Sequence, residues 1–272
     1  MPELPEVETT RRGIERAAAG ARIRELHVYD ARLRWPIEPQ MARQITGQQL
    51  LTVGRRAKYL LLVLERGTLI LHLGMSGSLR VLPASTPRQQ HDQFDLVLES
   101  GVTLRLNDPR RFGSLHYTRD DPAQHRLLAH LAPEPFDPAF DADYLHRITR
   151  KRRVAIKQVL LNGRLVTGVG NIYASEALFR ARINPRRAAG RLSRAECARV
   201  VRSVRAAFKA AIRAGGTTLR DYVGTDGNPG YFRQKLFVYE RDGQRCRNCG
   251  TLIRKIPQGQ RSSYYCPTCQ PR

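Results

Sequence analysis

The chain has 272 residues, which is enough for two or three domains with their own hydrophobic cores and excludes a miniprotein held together by cross-links alone. Its 47 Lys and Arg residues against 24 Asp and Glu give a formal net charge of +23, a value that favours a polyanionic partner such as nucleic acid. It contains neither a run of about 18 apolar residues nor a secretory signal, so the sequence predicts a cytoplasmic protein that does not span a membrane.

The positive charge is concentrated in the second half of the chain. Residues 1–136 carry 19 Lys and Arg against 15 Asp and Glu, whereas residues 137–272 carry 28 against 9. We therefore expect the second half to supply most of the sequence-independent attraction to phosphate. Because ribosomal, heparin-binding and merely arginine-rich proteins share such a charge, the function has to be argued from motifs.

The N-terminal part is predicted to be a helix followed by an antiparallel β-sandwich or barrel. Residues 5–18 have Pro5 in the first turn, an apolar face and Gly20 as a stop, which is typical of a helix. From about residue 21 to residue 117 the pattern changes to short β-rich runs separated by Gly and Pro turns. The clearest of these runs are residues 58–64, 68–73, 94–99 and 102–106.

A proline-rich segment at residues 132–138 is predicted to separate the β-rich part from a helical part. Beyond it, the apolar spacing predicts three helices, at residues 144–161, 172–181 and 193–214. The last of them begins with Ser193 and Glu196 in capping-box spacing and ends at a pair of glycines. A glycine-rich loop at residues 224–230 and a cysteine-containing segment follow.

Four cysteines near the end of the sequence are spaced as in a zinc site. Cys246 and Cys249 form one Cys-x-x-Cys pair, and Cys266 and Cys269 form a second pair after sixteen intervening residues. A β-hairpin between the pairs would bring them to the same ion, and four thiolates would complete its tetrahedron. The predicted Zn²⁺ is therefore single and structural, with no open position for a reacting water. Two labile disulfides are the alternative, which the missing secretory context disfavours.

Two further features of the basic half are consistent with binding to nucleic acid. Arg254, Lys255 and Arg261 lie on the expected hairpin, where they could alternatively form only a solvated charged face. The sequence Gly168-Val169-Gly170-Asn171 precedes a predicted helix, and the backbone N–H groups at a helix start can bind phosphate. An ordinary turn between two helices is the alternative for this glycine-rich stretch.

The first residues, Pro2-Glu3-Leu4-Pro5-Glu6, can carry chemistry. Removal of Met1 would expose the secondary amine of Pro2, which can attack an electrophilic sugar carbon. The resulting iminium ion cannot lose a proton to become a neutral imine, so it remains an electron sink for an elimination. Glu3 beside it could transfer protons. Without other motifs, the same residues would indicate only the beginning of a helix.

Taken together, six motifs in order give the chain a close resemblance to formamidopyrimidine-DNA glycosylase over nearly its whole length. They are residues 2–6, 55–60, 72–77, 108–113 and 168–173 and the four-cysteine segment. The resemblance implies an α+β fold, with an N-terminal helix and antiparallel β-sandwich, a helix-two-turn-helix domain and a zinc-finger β-hairpin. The expected domains are residues 1–132, 133–220 and 221–272. The resemblance also implies a monomer that holds damaged double-stranded DNA between its halves.

The implied activity is base-excision repair by a combined glycosylase and abasic-site lyase. Such an enzyme removes oxidised purines, namely 8-oxoguanine and formamidopyrimidines, and then cleaves the strand by β,δ-elimination. The resemblance makes Pro2 the nucleophile at C1′ and Glu3 the acid or base that assists opening of the sugar ring. Lys58 is similar to the family's proton donor around β-elimination, and Arg261 to the arginine associated with δ-elimination.

The resemblance also implies which residues handle the extruded base. Met75, Arg110 and Phe112 match the set that fills the gap left in the duplex, because chemistry on a base requires flipping it out of the stack. Judged by apolarity alone, Met75 and Phe112 would be predicted to be core residues.

Contacts to the DNA backbone are expected from a second group of residues. His91, Arg110, Arg152 and Asn171 correspond to family contacts, with Arg152 taken from the basic run at residues 150–153. Lys157 is a further basic candidate on the same predicted helix.

Two other functions compete with this interpretation. An enzyme resembling endonuclease VIII would share the terminal proline chemistry but prefer oxidised pyrimidines, and the set Met75, Arg110 and Phe112 favours the purine enzyme. A non-enzymatic zinc-ribbon DNA-binding protein would need the basic half but not Pro2, Glu3 and Lys58 together. Covalent trapping on damaged DNA separates the enzyme from the binding protein.

Overall fold

The structure is a computed structural model, and it describes residues 2–217, 225 and 232–272. The glycine-rich loop at residues 224–230 therefore lies outside the described residues, except for Thr225. The chain divides into two compact units, Met1–Ala129 with Ile212–Arg233, and His130–Ala211 with Gln234–Arg272. The helical and cysteine-containing segments thus fall largely into one unit, and the three-domain division stays a prediction.

The first unit is built from helix α1 (Leu4–Ala18), the short helix α2 (Met41–Ile45) and two four-stranded antiparallel sheets. One sheet has the strand order β1-β6-β7-β5 and the other β2-β3-β4-β8. The strands are β1 Ile23–Val28, β2 Leu50–Arg56, β3 Tyr59–Leu64, β4 Gly67–His72, β5 Ser78–Pro83, β6 Asp92–Leu98, β7 Val102–Asn107 and β8 Ser114–Thr118. The predicted antiparallel sandwich is confirmed.

One hydrophobic core holds the first unit together. Strand β3 alternates between partly exposed and buried positions, so Leu60, Leu62 and Leu64 point to the same side. They join buried side chains from both sheets and from α1, such as Ile14 and Leu96. Because each sheet contributes one apolar face, neither sheet is stable without the other.

The second unit contains the helices and the cysteine-containing hairpin. Its elements are α3 Ala142–Thr149, α4 Ile156–Leu161, α5 Asn171–Arg180, most of α6 Arg194–Arg213, β9 Arg254–Gln258 and β10 Arg261–Tyr265. The capping box of α6 is confirmed, since Glu196 accepts from the Ser193 N–H at 2.9 Å and Ser193 Oγ accepts from the Glu196 N–H at 3.2 Å. In the described part of the chain, every helix is too short or too polar to cross a bilayer.

The single helix expected at residues 144–161 is wrong, because the chain breaks between α3 and α4. Lys151 has a φ of +60°, outside the helical region. The segment after it bonds to residues 187–190: the Gly190 N–H donates to Arg152 O at 2.9 Å, and the Ile156 N–H donates to Arg187 O at 2.8 Å. Arg152 and Lys157 therefore do not share a helix.

Candidate functional site

The start of α1 fixes the residues that the sequence predicts to react. Pro2 is buried and Glu3 is only 2% exposed. The Glu6 carboxylate accepts from the Glu3 N–H at 2.8 Å, and its other oxygen accepts from the Thr217 N–H at 2.8 Å. The terminus is therefore held in one position by a buried carboxylate rather than left to fray.

Lys58 lies in the tight turn between β2 and β3. The turn is formed by Ala57, with a φ of +54°, and Lys58. Arg55 holds it, because its guanidinium donates to Ala57 O at 2.9 Å and to the Glu8 carboxylate of α1 at 3.1 Å. One ion pair thus connects α1, which begins two residues after Pro2, with the turn that carries Lys58.

The Glu8 carboxylate is held in its charged form. Burial raises its pKa, but hydrogen bonds from Arg11, Arg12 and Arg55 outweigh burial and lower the pKa overall. The connection between α1 and the Lys58 turn is therefore an ion pair at neutral pH.

His72, at the end of β4, pairs with Tyr59, the residue that follows Lys58 at the start of β3. Burial, followed by the positive charges of Lys58 and Arg34, lowers the pKa of His72 to about 4. Its Nδ1 accepts from the Gly74 N–H at 2.9 Å, which requires the neutral ring. A neutral His72 thus anchors the loop that follows β4.

Met75 and Phe112 sit on two neighbouring loops and are not core residues. Their exposed fractions are 40% and 43%, and the Arg110 guanidinium lies 4.9 Å from the centre of the Phe112 ring. Gly74 has a φ of +65°, and a Cβ there would lie 2.5 Å from the backbone nitrogen of Gly113. The two loops are therefore packed backbone to backbone, which brings the three predicted gap-filling residues onto one platform.

Asp108 organises this platform, a role that sequence reasoning missed. Its carboxylate, which is fully buried, accepts from Ser76 Oγ at 3.0 Å and from the Gly113 N–H at 2.7 Å. Its own N–H donates to the carbonyl of His91, an exposed residue with a φ of +70°. Asp108 thus ties the Met75, Phe112 and His91 loops together; a carboxylate between a strand end and Pro109 is the signal that could have shown it.

In the second unit, Asn171 is the first residue of α5 and lies next to a pair of tyrosines. Its Nδ2 is 3.5 Å from the hydroxyl of Tyr239, whose ring contacts that of Tyr264 edge to face at 5.0 Å. Within the described residues, its Oδ1 is buried and has no hydrogen-bond partner. Tyr239 was not singled out from the sequence, because it lies outside every recognised motif.

Lys157 is not an exposed basic residue. Its side chain is 1% exposed, and its ammonium group donates to Ser262 O at 2.8 Å and to Ser263 Oγ at 2.7 Å. These serines follow Arg261 in β10, so Lys157 attaches α4 to the hairpin that carries Arg261. Binding of Lys157 to DNA stays a prediction.

Among the basic residues at 150–153, exposure separates Arg152 from Arg150. Arg150 donates to the backbone carbonyls of His146 and Leu192. Arg152 is exposed and uses only its Nε, which donates to Ile148 O at 2.7 Å. Lys151 and Arg153 are exposed as well, so the choice of Arg152 among residues 151–153 stays a prediction.

The four predicted zinc ligands converge. Their Sγ atoms all lie within 4.8 Å of one another, and three of the separations are 3.4, 3.5 and 3.9 Å. A tetrahedral Zn²⁺ with Zn–S bonds of about 2.3 Å places its sulfurs about 3.8 Å apart. Cys246, Cys249, Cys266 and Cys269 therefore fit one structural Zn²⁺.

A buried carboxylate attaches the cysteine-containing segment to α5. Glu176 accepts from three consecutive backbone N–H groups, those of Phe237, Val238 and Tyr239, at 2.9 to 3.1 Å. Burial raises the pKa of this carboxyl although the three N–H groups favour its charged form. The segment leading into the zinc site is thus held by the helix that begins at Asn171.

Comparison with known families accounts for nearly all of the chain. The model of the formamidopyrimidine-DNA glycosylase N-terminal domain matches residues 1–115, and that of the family's H2TH domain matches residues 131–223. The model of the zinc finger found in FPG and IleRS matches residues 243–272.

Individual relatives and solved structures agree with these matches. The formamidopyrimidine-DNA glycosylase of Thioalkalivibrio sulfidiphilus is 58% identical over 99% of this chain and 100% of its own. That of Bordetella pertussis is 55% identical over 100% of both.

The crystal structure of MutM (FPG) from Thermus thermophilus superposes with a TM-score of 0.88 at 39% identity, covering 99% of this chain and 98% of that one. Lactococcus lactis Fpg in complex with an abasic site containing DNA gives a TM-score of 0.92 at 32% identity, with both chains fully covered. The chain therefore belongs to the formamidopyrimidine-DNA glycosylase family.

Proposed function

We propose that this protein is a base-excision repair enzyme that removes oxidised purines from double-stranded DNA and then cleaves the abasic strand. The substrates are 8-oxoguanine and formamidopyrimidines, and the reaction joins DNA glycosylase to abasic-site lyase activity. The enzyme is proposed to act in the cytoplasm and as a monomer. The names of the relatives and the DNA bound in the Lactococcus complexes support the substrate class.

The observation that carries the proposal is the fixed geometry of Pro2, Glu3 and Lys58. Pro2 and Glu3 immediately precede α1, which is tied through Glu8 and Arg55 to the turn bearing Lys58. A binding protein would need neither a buried N-terminal proline nor a connected lysine. This arrangement supports a nucleophile and a proton-transfer group held on one rigid scaffold.

In the first proposed step, the Pro2 amine attacks C1′ of the damaged nucleotide. A bond forms between the nitrogen and C1′, and the damaged base departs with the electron pair of the glycosidic bond and gains a proton. Glu3 is proposed to move the proton that accompanies opening of the sugar ring, which leaves an iminium ion on Pro2.

Strand cleavage follows from the iminium ion as an electron sink. Loss of a C2′ proton breaks the bond between C3′ and its phosphate oxygen. Loss of a C4′ proton then breaks the bond between C5′ and its phosphate oxygen, and each phosphate leaves with the electron pair of the bond that breaks. Lys58 is proposed to transfer protons around the first elimination, and Arg261 to stabilise the phosphate that departs in the second.

Recognition is assigned to the platform of Met75, Arg110 and Phe112. An exposed apolar pair can take the place of the extruded base, and Arg110 can face the orphaned partner. His91, Arg152 and Asn171 are proposed to bind the DNA backbone directly, with the zinc finger positioning Arg261. Lys157 would act through its attachment to the hairpin.

The test is covalent trapping with borohydride on a duplex that holds one 8-oxoguanine opposite cytosine. We expect the reduced sugar on the N-terminal peptide of the wild type and no adduct when an N-terminal extension retains Met1. Lys58→Ala should still be trapped on abasic DNA, with turnover slowed by about a hundred- to ten-thousand-fold. An adduct mapped to Lys58 or Lys157 would overturn the assignment of the nucleophile.

Two controls keep this experiment decisive. Lys209→Ala, on the exposed face of α6, removes a lysine elsewhere and should be trapped like the wild type. A duplex with an oxidised thymine measures pyrimidine preference, and faster excision there than of 8-oxoguanine would favour the endonuclease VIII type of activity.

A further inference from the structure

We propose that an arginine-lined groove on the second unit is an additional binding surface for the phosphate backbone of duplex DNA. The groove has a volume of about 540 Å³ and is lined by Asn184, Arg186, Arg187, Ala188, Arg191 and Arg272. This inference rests on the proposed DNA binding, but not on the chemistry at Pro2.

Two of the four guanidinium groups are held in place. Arg187 donates to the Glu196 carboxylate at 2.6 Å and to Arg191 O at 3.2 Å. Arg186 lies over the Tyr265 ring, 5.7 Å from its centre, and donates to the Tyr265 hydroxyl at 3.3 Å. Part of the entropy cost of ordering these long side chains is thus met before a ligand arrives.

The other two guanidinium groups are available to a ligand. Arg191 and Arg272 are exposed, and neither side chain makes a hydrogen bond or ion pair within the part of the chain that the structure describes. None of the lining residues is acidic. The carboxylate of Glu196 pairs with Arg187 of the lining and, at 3.6 Å, with Arg199. The side chains that line the groove therefore carry an excess of positive charge.

A polymer of phosphates fits this surface better than a single small anion. The backbone of residues 187–190 pairs with the segment after Lys151, through the Gly190 N–H to Arg152 O and a bridge between Ala155 and Ala188. The segment that lines the groove is thus hydrogen-bonded to a neighbouring segment whose basic side chains at residues 151–153 are exposed. Adjacent basic segments match the repeating charge of a DNA strand.

The test is the salt dependence of binding to an undamaged duplex of about 40 base pairs, because each lost phosphate contact lowers the slope of log K against log salt by about 0.9. For Arg191→Gln with Arg272→Gln, we expect the slope to fall by about 1 to 2 and affinity at moderate salt to fall about ten-fold or more. Unchanged zinc content and unfolding midpoint would show that the variant is folded.

The matched control is Arg202→Gln with Lys209→Gln, which removes the same charge from the exposed face of α6. Its slope should equal that of the wild type. A groove variant with the wild-type slope, or an equal loss in both variants, would overturn the proposal. Excision by the wild type is measured separately, so failure of the proposed enzyme activity would be seen without affecting this comparison.

Discussion

Burial sets the charge of two histidines in the first unit. The pKa of His72 falls to about 4, through burial and then through Lys58 and Arg34. The pKa of His116 also falls to about 4, through burial and then through His125 and Arg126. Both rings are neutral at pH 7, and for His72 this is the form that accepts from the Gly74 N–H. The loop carrying Met75 thus depends on a histidine that must not be protonated.

Acidification is expected to destabilise the protein partly through His72. The unfolded chain binds a proton near pH 6.5, while the folded chain resists protonation until about pH 4. The stabilisation that the neutral His72 ring gives the folded chain is therefore complete above pH 6.5, and it is lost as the pH falls from there towards 4. Between about pH 7 and about pH 5 the contribution of His72 to the free energy of unfolding should drop by about 1 to 2 kcal/mol.

Denaturant unfolding at both pH values measures this effect. His72→Asn keeps an acceptor for Gly74 but cannot titrate, so its stability should depend less on pH than that of the wild type. Protonation of the cysteines affects both proteins alike and cancels in the comparison. Equal pH dependence in the two proteins would show that His72 does not contribute.

Functional side chains could be predicted where a short spacing pattern in the sequence identifies them. The four cysteines and the Ser193–Glu196 box are recognisable from spacing alone, and the structure brings both sets together. The burial of Lys157 could not be predicted, because its partners Ser262 and Ser263 lie 105 and 106 residues away. A lysine whose partners are so distant looks, in the sequence, like any basic residue on a helix.

Strands were easier to predict than the helical segment at residues 144–161. In the sandwich, one face of a strand such as β3 is buried, so buried and partly exposed side chains alternate along it. The four predicted runs begin and end within two residues of the observed strands. The break between α3 and α4 leaves no such pattern. There the backbone of residues 152–156 finds partners at residues 187–190, and these tertiary hydrogen bonds prevail over the helix propensity of Arg and Lys.

The platform formed by the loops after β4 and β7 predicts a separation between base extrusion and strand cleavage. Phe112→Ala removes an exposed ring that touches Arg110 but leaves Asp108 and its hydrogen bonds in place. Excision of a paired 8-oxoguanine should slow about ten- to a hundred-fold, because compensation for unstacking is lost. Cleavage at a preformed abasic site should change much less.

Single-turnover rates on the two substrates test this separation. Leu51→Ala is the matched control, because Leu51 is an apolar side chain on β2 of the same unit with 48% exposure. Its rates should equal those of the wild type on both substrates. If Phe112→Ala slowed both reactions equally, the ring would be supporting the fold of the loop rather than filling a gap in the duplex.

The hydrophobic cluster of the sandwich contains no cysteine, whereas a hydrophobic cluster of the second unit includes zinc ligands. The larger core lies between Val7 and Leu115 and belongs to the sandwich. A smaller cluster in the second unit contains Cys246 and Cys266 together with Phe179, Val238 and Ile253. The sequence predicted the zinc site, but it could not show that two ligands are part of a core shared with α5. Zinc binding is therefore coupled to the packing of that cluster.

Removal of zinc is expected to open the second core locally and leave the sandwich folded. The binding free energy of a four-thiolate site is part of the folding free energy of the segment around it. Without the metal, four sulfurs within 4.8 Å of one another would repel one another as thiolates. After chelation, or in Cys249→Ala, the amides of residues 237–270 should exchange hydrogen rapidly, while those of β3 and β4 keep their protection. Affinity for DNA should fall in parallel, because Arg261 lies in the affected hairpin.

Cys197→Ala is the control, since this buried cysteine of α6 is outside the zinc site and its loss should leave metal content unchanged. Exchange measured by peptide mass spectrometry decides between the alternatives: protection lost equally in β3, β4 and the hairpin would mean that the two cores unfold as one, and active protein without stoichiometric zinc would mean that the four cysteines do not need the metal to fold.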